Sequence, residues 1–181
     1  MLMPSLFTRA TFLGCIAAIA GLGAIVLVVR APSIPDDTQA TAKFLLATCG
    51  DSAHNLDAVA QRAERQHWTS MIHPGGSEND PLKVSGMWRV EEDGHAYIVT
   101  TGVGPGDHTA CQVEFEHPKP GRDDFFAAVS GALTLNVAGD FPGAGWRTEM
   151  YQIENLAPKN AVLLFVSSAD GAVYRGAVMG N

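Results

Sequence analysis

Charge is absent from Ala10–Val29, twenty consecutive residues closed by Arg9 and Arg30. At about 1.5 Å of rise per residue, a helix of this length matches the hydrocarbon thickness of a bilayer, so the run predicts a transmembrane signal-anchor helix. Two other readings of the run stand beside it. A secretory signal would be cut after Ala31, with Val29 at the −3 position and Pro32 as the first mature residue. A lipoprotein signal would end at Cys15, where Phe12-Leu13-Gly14-Cys15 loosely follows a lipid-attachment pattern. Basic residues are nearly balanced around the run, with Arg9 before it and Arg30 and Lys43 after it, so orientation rests on the signal-anchor architecture. On that reading residues 1–9 are cytoplasmic and 10–29 cross the inner (cytoplasmic) membrane once. Residues 30–37 are a linker, and 38–181 form one extracytoplasmic domain, in the periplasm or outside the cell. Cleavage of the segment would leave that domain secreted.

Positive charge is scarce in the domain. After position 30, ten basic residues face nineteen acidic ones, a net charge of −9. That balance excludes nucleic acid as a partner and repels the domain from anionic lipid surfaces. Metal-ligand spacings are missing too. The six histidines contain no His-x-His, His-x-x-x-His or His-Glu-x-x-His. Asp51 and His54 share the spacing of one helical face, but no third ligand is assigned to them, and no cofactor is expected. Gly102-Val103-Gly104-Pro105-Gly106 lacks the Lys-Ser/Thr of a phosphate-binding loop and leads into a strand, where no helix N-terminus waits to bind an anion.

Gly50-Asp51-Ser52 resembles the nucleophile block of the Gly-Asp-Ser hydrolases. No Asp-x-x-His follows that block, and the adjacent Asp107 and His108 send their side chains in different directions on an extended segment. Asp51 and Ser52 therefore read as a helix cap. No internal repeat or low-complexity segment is found.

What is present is an α+β pattern. Asp36, Asp37 or Thr38 caps a first helix running to about Ala47 and ending at Cys49-Gly50. A second helix follows Asp51 or Ser52, with Leu56, Val59, Ala60, Ala63 and His67 inward and Trp68 folding back as an anchor. His73–Pro81 is a loop. The period then changes to two: strands at Val84–Val90 and His95–Thr101 flank the turn Glu91–Gly94, and a third strand covers Thr109–Glu116. Asp123–Leu135 is a third helix and Gly139–Gly145 a glycine-rich loop. Strands at Arg147–Asn155, Ala161–Ser168 and Ala172–Met179 complete a mainly antiparallel sheet of about six strands, with the third helix between strands three and four and one face covered.

Cys49 and Cys111 are the two domain cysteines. In an oxidising compartment they predict a disulfide, with two buried thiols as the alternative. Function is read first as a non-enzymatic, membrane-anchored binding or envelope-assembly module. Its partners would be the membrane, through residues 10–29, and a protein docked on the sheet face that helices leave open. The rival reading is a small hydrolase or metal-dependent enzyme using some of Asp51, Ser52, His54, His95 and His108, which requires those side chains to converge.

Overall fold

The computed structural model describes residues 34–50, 55–71, 83–156 and 161–180. The predicted span 10–29 lies outside them, as do the loop at 73–81 and the turn at 157–160. Among the described residues no helix is long and apolar enough to cross a membrane. The described fold is three helices against one eight-stranded sheet, which corrects the predicted count of about six strands.

Helix α1 covers Asp36–Leu45 and widens into a π turn at Leu46–Gly50; helix α2 covers Leu56–Arg65. Strands β1 (Thr69–Ser70), β2 (Lys83–Glu92), β3 (His95–Val103) and β4 (Thr109–His117) form one meander. Helix α3 (Arg122–Ser130) then leads to β5 (Leu135–Pro142), β6 (Trp146–Ile153), β7 (Val162–Ser168) and β8 (Val173–Gly180). The strand order is β1-β2-β3-β4-β8-β7-β6-β5, antiparallel throughout. Two meanders are thus joined where β4 pairs with β8.

The two strands that the sequence did not announce are the edges. β1 is too short to show a period. β5 has almost no buried residue, and its register shifts between Val137 and Gly139, so the alternation that marks a strand is interrupted. Helix α3 also stops at Ser130, with Gly131 as its C-cap, which frees Leu135 to open β5 instead of closing the helix.

Helix starts differ in detail. Pro35 occupies the N-cap of α1 and no side chain caps it; Asp36 and Asp37 sit in the first turn, where the helix dipole favours acids. Asn55, not Asp51 or Ser52, caps α2, accepting from the Ala58 amide at 3.3 Å. His67 is exposed rather than inward. The helix has ended, and His67 takes φ +56°, turning outward while Trp68 folds back onto the core. The β2–β3 hairpin closes through Asp93-Gly94, both with positive φ, between the paired Glu92 and His95.

The core lies between the helices and one sheet face. An aromatic series crosses it. Phe44 stacks on Tyr97 at 4.0 Å, Tyr97 meets Phe115 edge-on at 6.3 Å, and Phe125 from α3 sits between Phe115 (5.4 Å) and Phe165 (5.9 Å). Cys49 and Cys111 are bonded to each other, tying the π turn to β4. Gly176 permits the close approach of α1 to β8, since a Cβ there would come within 2.6 Å of Leu45 Cδ2.

Candidate functional site

Of the five polar candidates, Asp51, Ser52 and His54 lie outside the described residues. His95 opens β3. His108 lies beyond the other end of that strand, in a loop closed by the Gly104 amide donating to the His108 carbonyl at 2.8 Å. Nine residue steps at about 3.3 Å put the two histidines about 30 Å apart, so they share no site. His108 is exposed. Among the described residues no group of three or more His, Cys, Asp or Glu side chains is placed to hold a metal ion.

His95 is buried at 7 % exposure, beside a cavity of about 190 Å³ lined by Lys43 and Phe44 of α1, Arg62 of α2, and Glu92, Asp93 and Tyr97 of the hairpin. Its Nδ1 lies 3.0 Å from the Asp93 carbonyl, which can only accept, so Nδ1–H donates there. Among the described residues Nε2 has no hydrogen-bond partner, and Asp37 Oδ1 stands at 3.7 Å. The Tyr97 phenol is pushed up, mainly by burial, with the hydrogen bond to Thr41 acting against the shift. Among the described residues no serine or cysteine lines the cavity. Arg62 serves structure: it donates to the Ala47 carbonyl at 2.6 Å and to Gln66, and its guanidinium packs near the rings of Phe44 and Trp68.

A second polar group went unnoticed in the sequence. Glu149 sits on the inward side of β6 and is 3 % exposed. Arg122, at the start of α3, forks onto both of its carboxylate oxygens, Nε to Oε2 at 2.6 Å and NH2 to Oε1; the Tyr151 hydroxyl donates to Oε1 at 3.1 Å. The pair raises the Arg122 pKa well above its ordinary value, chiefly through the hydrogen bond to Glu149. Tyr151 is pushed up to about 12, first by burial and then by the Glu149 charge. With both oxygens occupied, this carboxylate fastens α3 to the sheet. The signal that could have found it is the inward phase of Glu149 beside Tyr151 and Ile153, an acid on a core face that requires a cation.

The sheet face away from the helices carries a third feature, whose middle is closely packed: Thr100, Gly102, Ala110 and Ala177 are buried, while Val84 and Gln152 at its two sides are exposed. Cross-strand pairing assembles one row from Met150, Leu164, Ala177, Gln112, Thr100 and Met87, on β6, β7, β8, β4, β3 and β2 in that order. The adjacent row reads Gln152, Val162, Met179, Ala110, Gly102 and Val84. Neither row contains a charged residue. Charge begins at the border: Arg175 meets Glu114 at 3.2 Å, and Arg89 meets Glu91 at 3.2 Å and Glu116 at 3.4 Å. An antiparallel sheet with one wet face ordinarily shows polar residues outward. Here an uncharged band two rows deep and about 24 Å wide crosses six strands. No family model, no curated protein and no solved structure matches this chain.

Proposed function

We propose that this chain is a non-enzymatic protein-binding module held outside the cytoplasm through its uncharged N-terminal segment. The observation that carries the reading is the uncharged band on the open sheet face, in a domain whose net charge is −9. An apolar centre bordered by compensated ion pairs is the composition of a protein interface, where a dry core is ringed by polar contacts. The net charge opposes pairing with a second copy, so the occupant is a different protein presenting a flat, uncharged face. The Cys49–Cys111 bond fits an oxidising compartment, which supports export of the domain. His95 and His108 are too far apart to act together, so a hydrolase would have to rely on Asp51, Ser52 and His54, which lie outside the described residues.

The test is a photo-crosslinking residue at Gln112, in the middle of the band, in cells carrying the full chain. The expected result is one adduct of constant mass above the chain, lost in Leu164→Asp and absent with the probe at Glu64 on α2. No adduct, an equal yield from both probe positions, or a mass equal to two copies of the chain overturns the reading.

A further inference from the structure

The β5–β6 hairpin ends in Phe141-Pro142-Gly143-Ala144-Gly145-Trp146, six exposed residues without a charge. Phe141 and Trp146 are 51 % and 49 % exposed, and strand pairing puts both on the face away from the helices. Neither ring hangs free. A Cβ added at Gly139 would stand 2.7 Å from the Phe141 ring, and one at Gly143 would stand 2.3 Å from the Trp146 ring. Each aromatic therefore lies close against the bare backbone of a glycine, which limits its rotation while leaving about half of its surface outward. The Gly143 amide donates to the Trp146 carbonyl at 2.7 Å, and the Ala169 amide donates to the Gly145 carbonyl at 3.2 Å, bracing the tip against the β7–β8 turn.

The base of the finger is locked and electrically compensated. Arg147 forks onto Asp140 at 2.8 and 2.7 Å, the charged residues that flank the tip in sequence; Asp170, exposed in the bracing β7–β8 turn, is hydrogen-bonded by Ser168. That contact holds the Asp140 carboxyl below its ordinary pKa, chiefly through the hydrogen bond from Arg147. The result is a braced apolar projection whose two flanking charges in sequence, Asp140 and Arg147, cancel.

We propose that this tip inserts into the interface of a zwitterionic lipid bilayer, steadying the domain against the membrane to which its N-terminal segment holds it. Tryptophan and phenylalanine on a short amphipathic element settle at the headgroup–acyl boundary. Apart from the indole N–H, the tip offers no polar side chain. A protein pocket uses such groups for orientation, whereas a lipid interface needs none. The sheet band differs in this respect, with Gln112, Thr100 and Gln152 inside it and ion pairs around it. The domain's net charge of −9 excludes an anionic surface as the preferred target. Attachment through the N-terminal segment makes a weak insertion sufficient, because the second contact is then intramolecular. The inference rests on the tethering half of the functional reading and is independent of the band.

The experiment uses the full chain reconstituted in phosphatidylcholine vesicles, with and without bromine on the acyl chains, and reads tryptophan fluorescence. Trp68 and Trp88, half-buried against the core, serve as internal references. Brominated lipid is expected to quench about a third of the wild-type signal, one tryptophan of three. Trp146→Phe abolishes that loss, and Phe141→Ser reduces it at least twofold. Equal quenching in wild type and Trp146→Phe, or none in wild type, overturns the proposal. Flotation of the same samples reports the tether separately. A chain that floats without quenching overturns the tip alone, and one that neither floats nor is quenched overturns both.

Discussion

Single side chains show where burial and charge decide stability. Glu149 is enclosed by Arg122 and Tyr151, with Arg147 NH2 at 3.9 Å, so removing Arg122 leaves a buried carboxylate with only that longer charge contact. Arg122→Met is expected to cost about 3 kcal/mol, read as a lower midpoint in urea, while Arg122→Lys recovers only part of the loss because a point charge does not replace a fork. Tyr151 adds a pH dependence. Its folded pKa of about 12 exceeds the value of about 10 for an unfolded phenol, so the unfolded chain releases its proton first. The contribution is intact below pH 10 and is lost as pH rises from 10 to 12, about 2–3 kcal/mol in all. Tyr151→Phe should flatten that part of the stability curve. None of this was legible beforehand. β6 alternates Glu149, Tyr151 and Ile153 inward, but the guanidinium that forks onto both oxygens of Glu149 comes from Arg122, twenty-seven positions earlier.

Elements were legible in proportion to how much of their pattern is local. The β2–β3 hairpin was readable from two alternating runs around Asp93-Gly94, and β4 from Cys111, Val113 and Phe115 falling on one side. Edge strand β5 was not, because an element that buries almost nothing carries no burial pattern. The sequence offers Asp51 or Ser52 as the cap of α2, since Asp, Ser and Asn satisfy the free amides equally well, and only geometry chooses Asn55. Asn55→Ala is therefore expected to cost about 1 kcal/mol, a fall of about 2–4 °C in Tm for a domain of this size. The bond between Cys49 and Cys111 bridges a sequence separation of 62 residues. Loop closure of that length restricts the unfolded chain by about 4 kcal/mol, so reduction should lower Tm by about 10 °C, measured by calorimetry with and without reductant.

At the scale of the molecule, the joining of β4 to β8 turns two meanders into one sheet, and that single pairing creates the band. Its residues come from positions 87, 100, 112, 150, 164 and 177, far apart in the chain and adjacent only across strands. The same long sheet holds His95 and His108 apart. His108→Ala should leave both Tm and the Gln112 adduct unchanged, with the adduct yield on a gel as the measure. A loss of the adduct without a loss of fold would return His108 to the functional surface.

The sequence by itself determined the passage from an uncharged segment to an acidic domain, the identity of the only two domain cysteines, and the inward phase of most strands. These depend on local chemistry: charge, spacing and a period of two. Only the tertiary structure decided which strands lie side by side, that Leu135–Pro142 is a strand, what neutralises Glu149, and that the uncharged positions of six strands form one surface. Alternation along a strand records which side faces the core, but lateral order is set by long-range hydrogen bonding between segments, for which no single stretch of chain carries the code.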